Sequence, residues 1–523
     1  MDGTGSLHAG TGGAGGNVSL GANTAILNQG TITRNDGAMK VYFNNLDMTN
    51  NDTTLALNRT TAYDSGADTG VQLGTLIFGG GRNMTTSGDG AFAINGIRVM
   101  GKGASYSGTA LDASGKNLYF YLPAGMGKDE VMLHSDSAVN TEGSHVDVAA
   151  AGPIAHLSNG EKVILIDNTT GTIADNGKKT SIFYQGATQY DLVVRSEPSL
   201  SPLTLDAQDI AGQLVLIREG TNTYGQAYAE GQIAGLAAVM QSGDLVARFG
   251  DKLSIIEKEG PEVFFSMQGT SEKIKTGSHI KSNGVEAMGG VATHQKTTVG
   301  TIHAGVFIEA GYGNYDAYNS FPTVNVKGDG NTKYFGAGVI ARHDFDNQFY
   351  VEGSLRGGKV RTDYSTNDMG AGAAFDSSVW YYGAHGGVGY KIPVRETSNV
   401  DVYGKVLWTQ MNSDNLTTDA GENVRFDNAD SLRSRLGVRY NHQLEEKVKG
   451  FIGVAWDHEF QGKLSSTLNG VAMGEPNMKG STGLLEMGVS WQAQKAWTFD
   501  ANLRGMAGKH EGVTGMVTAK YAF

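Results

Sequence analysis

The chain has 523 residues, of which 76 are glycine, eight are proline and none is cysteine, and its 41 basic and 53 acidic side chains give a formal net charge of −12. The absence of cysteine excludes disulfides, cysteine-ligated zinc, iron–sulfur clusters and thiol catalysis. The net negative charge argues against a nucleic-acid-binding protein, which needs a basic surface. A glycine share about twice the usual one, with so few prolines, favours a large β-rich protein of two or more units.

The sequence shows neither a signal peptide at its N-terminus nor a segment with the hydropathy of a transmembrane helix. Residues 1–6 contain no basic region followed by an apolar stretch, so they do not read as a signal peptide. No window reaches the roughly 18 uncharged apolar residues of a transmembrane helix. A transmembrane β-barrel remains open, because its strands give only alternating segments of about ten residues.

Residues 1–200 combine short apolar runs, such as 75–78 and 163–166, with corners rich in Gly, Asn, Asp and Thr. Short strands between such corners predict a β-solenoid or a sandwich. The sequence shows no strict repeat period. The segments 117–123 and 161–194 are expected to form longer strands that close the end of the stack, since a solenoid needs a cap over its last apolar face.

Residues 222–250 have a different pattern. The stretch 226–240 lacks proline, is rich in alanine, and places Ile233, Leu236 and Met240 at helical spacing, which predicts one slim helix. Taken alone, the pattern also fits an ordinary linker helix packed on its neighbour.

From about residue 262 the chain becomes a series of alternating strands. In the segment 301–313, Ile302, Val306 and Ile308 share one face while His303 and Glu309 share the other. About twelve such segments follow one another, and an even number of amphipathic antiparallel strands is the expectation for a barrel. A two-sheet sandwich with apolar faces inward is the soluble alternative, and alternation alone does not exclude it.

The polar faces of these strands carry too many charges for a dry core, so we expect them to face a wet lumen. The expected lumen-facing side chains are Glu309, Glu352, Arg356, Lys405, Arg433, Arg435, Arg439, Glu486, Asp500 and Arg504. Glu352 and Arg356 are expected to form a water-exposed pair. The last strand alternates as well and ends on an aromatic residue, Phe523, which is unusual for a soluble domain.

Residues 222–523 resemble the C-terminal translocator domain of bacterial autotransporters, the type V secretion family. The order and spacing of several segments carry this resemblance: 229–237, 243–246, 304–315, 381–385, 456–460, 509–515 and 521–523. The resemblance implies an all-β fold, with a twelve-stranded antiparallel transmembrane β-barrel, one pore helix, and a β-solenoid-like passenger remnant before them. Small side chains on the implied pore helix are Ala229, Gly231, Ala234, Gly235 and Ala238.

The resemblance also implies partners. The barrel would contact outer-membrane lipid and be assembled by the outer-membrane β-barrel assembly machinery. That machinery would read a C-terminal signal formed by Val517, Ala519, Tyr521 and Phe523. Family members carry a secretion signal and usually a long passenger, so we expect this chain to be truncated, engineered or the product of a partial gene. The missing cysteines suit export, because a disulfide would obstruct passage of an extended passenger.

No catalytic, cofactor or metal site is expected. Some family members cleave themselves at an Asn-Asn pair in the pore helix, but residues 226–250 contain no asparagine. The histidines are scattered without metal-ligand spacing, and no nucleophile-elbow motif occurs. Glu309 and Glu352 are therefore not expected to be catalytic.

These observations predict an outer-membrane translocator, not an enzyme, that exports and anchors its own N-terminal part at the cell surface. The expected divisions are a passenger end at 1–200, a linker and pore helix at 201–250, and a barrel at 251–523. The alternatives are a surface adhesin whose barrel is only an anchor, and a passive outer-membrane pore. A monomer is expected, with a host or glycan ligand for the passenger and no nucleic-acid partner.

Overall fold

The computed structural model describes residues 18–20, 40–43, 45–56, 70–87, 92–197, 212–253, 261–322, 324–494 and 496–523. The chain forms two compact units. The solenoid unit comprises Met1–Tyr184 and Thr188–Asn222, and the barrel unit comprises Gln185–Ala187 and Thr223–Phe523.

The solenoid unit is built from short strands. Within its described residues these are β1 (Val18–Leu20), β2 (Lys40–Phe43), β3 (Asn45–Met48), β4 (Thr53–Ala56), β5 (Gly70–Gln72), β6 (Thr75–Phe78), β7 (Asn83–Ser87), β8 (Phe92–Ala93), β9 (Gly96–Val99), β10 (Ala104–Ser107), β11 (Leu111–Asp112), β12 (Asn117–Leu122), β13 (Val131–Ser135), β14 (Val139–Asn140), β15 (His145–Ala150), β16 (Lys162–Thr170), β17 (Lys179–Gln185), β18 (Thr188–Glu197) and β19 (Gly212–Thr223).

Parallel stacking of successive turns makes this unit a β-solenoid, as the sequence predicted. One sheet has the order β15-β12-β9-β6-β3, and a second contains β16-β13-β10-β7-β4. Along the first sheet Asn45 pairs with Thr75, Thr75 with Gly96, Gly96 with Asn117, and Asn117 with His145. Successive turns therefore take 30, 21, 21 and 28 residues. Corner insertions of unequal length explain why no strict repeat is visible in the sequence.

The interior of the solenoid is an apolar ladder. Leu46, Leu76, Ile97, Leu118 and Val146 lie side by side in register on consecutive turns, and none is more than 1% exposed. Each turn covers the apolar side chains of the turn before it, so the stack shares one continuous core.

Antiparallel strands close the stack after β16. β19 pairs antiparallel with β16, and β17 and β18 continue the same sheet beyond β19. The expectation that segment 161–194 closes the stack agrees with this position. The same expectation for 117–123 was wrong, because β12 lies within the stack between β9 and β15.

The barrel unit contains a closed barrel of twelve strands, which confirms the predicted fold. In order around the barrel they are β20 (Glu262–Lys275), β21 (His279–Thr297), β22 (Gly300–Ser320), β23 (Asn325–Phe345), β24 (Phe349–Ser365), β25 (Ala374–Arg395), β26 (Ser398–Met411), β29 (Ala429–Glu445), β30 (Val448–Glu459), β33 (Gly480–Gln492), β34 (Trp497–Gly508) and β35 (His510–Ala522). The first and last strands pair antiparallel, from Glu262 opposite Ala522 to Ile274 opposite His510.

The two ends of the barrel differ. At one, the turn end, the connections are short, such as 298–299 and 396–397. At the other, the loop end, the segments 412–428 and 460–479 carry a small sheet. Its strands are β27 (Asp414–Thr417), β28 (Asn423–Phe426), β31 (Ser466–Leu468) and β32 (Val471–Ala472). Outer-membrane barrels have short periplasmic turns and longer extracellular loops, so we expect the loop end to face the cell exterior.

The apolar faces of the barrel strands point outward. Ile308 is 58% exposed and Leu355 is 64% exposed, whereas the neighbouring Glu309 is 1% exposed. A sandwich would bury the apolar faces, so this pattern excludes that alternative. A closed ladder with an apolar outer belt satisfies every backbone group in lipid. No helix of the described residues is long and apolar enough to cross a membrane.

Candidate functional site: the helix in the barrel lumen

A single helix of the described residues, α1 (Gln226–Gly250), lies inside the barrel. It contacts strands β20 to β26 and β29, and 22 of its 25 residues are buried. At 1.5 Å per residue it is about 37 Å long, which exceeds the roughly 30 Å hydrocarbon core of a bilayer. The chain therefore fills the lumen along its length.

The helix runs from the loop end to the turn end. Near its start, the Tyr228 hydroxyl donates to the carboxylate of Glu422, in the loop sheet region, at 2.8 Å. Just after its end, Lys520 donates to the carbonyl of Lys252 at 2.9 Å, and the Lys252 ammonium lies 3.3 Å from Asp500. The chain thus enters the barrel from the end with the longer loops.

A row of helix glycines allows close approach to β24. A Cβ added at Gly231 would lie 2.5 Å from the ring of Tyr364, and one added at Gly235 would lie 2.3 Å from Thr362 Oγ1. Farther down, Gly243 faces Arg356 of the same strand. The predicted small positions Ala229, Gly231, Ala234, Gly235 and Ala238 all lie on this helix and are buried.

The C-terminal half of the helix is held by one carboxylate among three arginines, here called the Asp244 cluster (Asp244, Arg433, Arg435 and Arg504). The Asp244 carboxylate lies 3.1 Å from Arg433, 2.7 Å from Arg435 and 3.7 Å from Arg504. The arginine side chains are at most 8% exposed. Breaking a buried ion pair by removing one partner is costly, because it leaves charge without compensation.

A second charged contact lies at the C-terminal end of the helix. The Asp251 carboxylate lies 2.9 Å from the Lys405 ammonium and 2.8 Å from Arg439. Lys405 also donates to the carbonyl of Ala247 at 2.8 Å. Cations are favourable here because the last carbonyls of a helix carry partial negative charge.

Barrel side chains also bind helix carbonyls away from its ends. Arg356 donates to the carbonyl of Val239 at 2.6 Å, and Arg433 donates to that of Met240 at 3.3 Å. Ser242 donates to the Glu309 carboxylate. These bonds fix how the helix is rotated about its axis and how deep it lies in the barrel.

Glu309 and Glu352 have partners that the sequence did not predict. Arg356 pairs with Glu309 at 3.1 Å, whereas Glu352 pairs with Arg342 at 2.9 Å. The side chains of Glu309 and Glu352 have no exposed surface, and those of both arginines are 2% exposed. The expected water-exposed pair of Glu352 with Arg356 was therefore wrong, because the helix leaves little water at this level.

The lumen also has an apolar side. Leu245, Val246 and Phe249 of the helix pack on inward-facing side chains of β20 to β23 and β35, including Phe264 and Phe307. The Phe249 and Phe264 rings stack with centroids 4.1 Å apart. The C-terminal half of α1 is thus amphipathic inside the barrel.

Residues 263–504 match the family model of the Autotransporter beta-domain. The barrel is an autotransporter β-domain. Members of this family are outer-membrane translocators of a passenger, which places the barrel in the outer membrane of a Gram-negative cell, with the N-terminal part of the chain exposed at the surface.

Several solved structures are similar to this chain. The β-domain of the Bordetella autotransporter BrkA has 16% identity and a TM-score of 0.41, covering 51% of this chain and 100% of its own. The translocator domain of NalP from Neisseria meningitidis has 15% identity and a TM-score of 0.43, covering 55% and 98%. The transport unit of AIDA-I from Escherichia coli has 12% identity and a TM-score of 0.42, covering 53% and 98%. No curated protein matches the chain.

In this β-domain all ten charged residues expected in the lumen have buried side chains. Their exposed fractions run from 1% for Glu309 to 8% for Arg439. The full set is Glu309, Glu352, Arg356, Lys405, Arg433, Arg435, Arg439, Glu486, Asp500 and Arg504. Glu486 lies 2.7 Å from Arg504 and 3.1 Å from Arg439.

Three partners of these residues escaped sequence reasoning. Asp244 and Asp251 lie on or just after the helix, and Arg342 lies on β23. A signal for Asp244 was present in the sequence, because it is one of only two carboxylates between residues 226 and 250. Its three partners come from two strands far from it in the chain, Arg433 and Arg435 from β29 and Arg504 from β34, so the sequence could not assign them.

The C-terminal residues of the β-domain alternate between its two faces. Val517 is 57% exposed and Phe523 is 59% exposed, whereas Lys520 is 2% exposed. The Tyr521 ring lies 4.9 Å from Trp497 and 5.2 Å from Phe523. An aromatic cluster therefore lies on the outer surface at the turn end. Among the described residues, no group of three His, Cys, Asp or Glu side chains could hold a metal ion.

Proposed function

We propose that the barrel unit exports the N-terminal part of its own chain and keeps it anchored at the cell surface. The observation that carries this proposal is the helix α1, which lies within the lumen and runs from the loop end to the turn end. A chain that had been drawn through the barrel toward the exterior would be left in this position. The helix then serves as the covalent tether.

The contacts of the helix support anchoring over a passive pore. The Asp244 cluster and the Asp251 contacts each join the helix to two or more strands. The glycine row leaves no gap between α1 and β24. A passive pore needs an open lumen, and a helix fixed at this many points obstructs one.

The proposed organisation follows the sequence divisions. Residues 1–200 are the passenger end, 201–250 contain the linker and the pore helix, and 251–523 are the barrel. The passenger end presents a host-binding or glycan-binding surface and carries no catalytic activity. The protein is monomeric and has no nucleic-acid partner.

Assembly is proposed to depend on Val517, Ala519, Tyr521 and Phe523. Their outward alternation and the aromatic cluster at Tyr521 support recognition by the outer-membrane β-barrel assembly machinery, with surrounding outer-membrane lipid as the other partner. Deleting Phe523 is expected to lower the amount of barrel in the outer membrane without changing synthesis. The variant Phe523→Tyr should retain normal levels, and normal levels after the deletion would refute the signal.

Single-cysteine labelling tests export and orientation together, because the chain contains no cysteine of its own. Asp136→Cys lies in the solenoid unit, Lys463→Cys in the loop region and Lys449→Cys beside the turn end, and all three native side chains are exposed. The variants are expressed in a Gram-negative host behind a cleavable secretion signal. A membrane-impermeant maleimide is then applied to intact and to permeabilised cells.

Labelling of Asp136→Cys and Lys463→Cys on intact cells, with Lys449→Cys labelled only after permeabilisation, is the expected result. Labelling of Lys463→Cys without Asp136→Cys would mean that the barrel inserts but does not export. Labelling of Lys449→Cys alone on intact cells would reverse the assigned orientation. The same cells, fractionated and electrophoresed with and without heating, report whether the barrel is folded.

A further inference from the structure

The turn end of the barrel contains a cavity of about 480 Å³, below the C-terminal end of the helix. Its size lies within the range of small-molecule sites. Seven arginine and lysine side chains line it against four aspartate and glutamate side chains. Carboxylates outside the lining pair with Lys252, Arg342 and Lys391. The lining cations that no ion pair of the described residues engages are therefore Arg248, Arg395 and Lys449.

One of the cationic groups is buried without an acidic partner. Arg248 is 7% exposed and donates to Gln268 Oε1 at 3.0 Å. Within the described residues no carboxylate lies within 4.0 Å of its guanidinium. A buried charge of this kind is costly unless something compensates it.

The helix terminus does not account for this charge. The carbonyl of Ala247 already accepts from Lys405, and the carbonyl of Lys252 accepts from Lys520. Three of the four carboxylates of the lining are also engaged, since Arg439 pairs with both Asp251 and Glu486, and the Tyr350 hydroxyl donates to Asp401 at 3.1 Å. Among the described residues Arg248 is thus left as a buried cation with no carboxylate within 4.0 Å.

Other side chains around the cavity are also cationic or polar and lack a partner among the described residues. Arg395 and Lys449 are exposed at its mouth, and no ion pair links either of them to a carboxylate of the described part of the chain. The Ser398 hydroxyl and the Asn502 amide oxygen line the cavity, are at least nine-tenths buried, and have no hydrogen-bond partner there. The Ser398 hydroxyl can donate to an anion bound in the cavity, whereas the Asn502 amide oxygen can only accept a hydrogen bond.

We propose that this turn-end cavity binds a phosphate-type anion, with Arg248 as the buried cation and Arg395 and Lys449 at the mouth. Planar guanidinium groups match phosphate oxygens in a bidentate manner. The site is separate from export and does not depend on the proposed function. The same chemistry is found in a free phosphate compound and in the headgroup of an anionic lipid.

Titration calorimetry of the full-length, detergent-purified protein with inorganic pyrophosphate tests this site. We expect saturable binding that weakens as salt is raised, and a loss of at least about tenfold in affinity for Arg248→Gln. The matched control Arg425→Gln removes an exposed arginine from the loop sheet and should bind as the unaltered protein does. Absence of binding, or equal affinity in Arg248→Gln and the unaltered protein, would overturn the proposal.

The double variant Arg395→Gln/Lys449→Gln keeps the test decisive if Arg248→Gln does not fold, because both side chains are exposed. It should bind pyrophosphate about threefold or more weakly than the unaltered protein, and unchanged affinity would refute the site. Repeating the titration in nanodiscs of phosphatidylcholine and of phosphatidylglycerol separates the sources. Equal affinity supports a free anion as the occupant, and weaker binding in phosphatidylglycerol supports a lipid headgroup.

Discussion

The solenoid and the barrel enclose opposite kinds of interior with the same alternating strands. In the solenoid, Leu76, Ile97 and Leu118 form an apolar ladder that excludes water. In the barrel, an apolar belt faces outward, and arginines and carboxylates surround most of a helix. This difference shows that an alternation with a period of two identifies which residues share a strand face. Whether the apolar face is buried or exposed depends on the surroundings, which are water for the solenoid and lipid for the barrel.

The largest expected effect tests the charged interior. Asp244→Asn leaves three buried arginines around a neutral amide, and it should destabilise the barrel by about 3–5 kcal/mol. The temperature at which the barrel loses its heat-modifiable band on electrophoresis measures this. Asp376→Asn breaks the exposed pair with Arg361 and should change stability by less than about 1 kcal/mol. Equal effects would mean that the lumen behaves like an aqueous surface.

Leu118→Ala tests the apolar interior. It removes buried methyl groups from the ladder and should cost about 2–5 kcal/mol of solenoid stability. Urea unfolding of the full chain followed by circular dichroism measures this, while the five tryptophans, all between residues 380 and 497, report the barrel separately. The exposed neighbour Asn117→Ala should change stability by no more than about 0.5 kcal/mol. A mild effect of Leu118→Ala would argue against a single shared core.

Ile308→Arg tests the outer face of the barrel. An arginine facing lipid near the bilayer midplane should cost about 2–4 kcal/mol. Ser320→Arg, which is exposed near the loop end of the same strand, should cost about 0–1 kcal/mol because the penalty falls toward the interface. Refolding from urea into lipid vesicles compares the two variants. Similar costs at both positions would contradict the membrane depth assigned here.

Gly231→Ala tests how closely the helix approaches β24. The added Cβ would meet the Tyr364 ring at 2.5 Å, so overpacking should cost about 1–3 kcal/mol. Gly269→Ala adds the same atom where nothing lies within 4 Å and should be nearly neutral. Thermal unfolding monitored by tryptophan fluorescence distinguishes them. If the two variants match, the glycine row is not a packing requirement.

The smallest expected effect is a pH dependence in the solenoid. The hydrogen bond to Asp167 raises the pKa of the half-exposed His134 above its ordinary value. Its stabilising contribution is fully present below the unfolded pKa of about 6.5 and is lost as pH rises through the higher folded value. The difference in urea midpoint between the unaltered protein and His134→Gln should therefore shrink from pH 6 toward alkaline pH. A difference that grows with pH would reverse the sign.

The barrel and the ten lumen charges could be predicted from the sequence, because alternation is a local property of each strand. The pairing partners could not be predicted where they come from different strands. Glu352 and Arg356 stand four residues apart on β24, yet each pairs with a residue of another strand. Phe307 shares a strand face with the polar residues His303 and Glu309, yet it packs on the helix. The closure of the barrel and the depth of the helix in it together decide which inward-facing residues contact the helix.

The sequence by itself determined the strand number, the alternation of faces, the slim helix and the lack of cysteine chemistry, because these follow from periodicity and composition. Tertiary structure alone decided that the helix runs from the loop end to the turn end, that Asp244 lies among three arginines, and that Arg248 has no acidic partner within the described part of the chain. The physical reason is that a closed barrel joins residues more than 200 positions apart, and electrostatic pairing depends on distance in space.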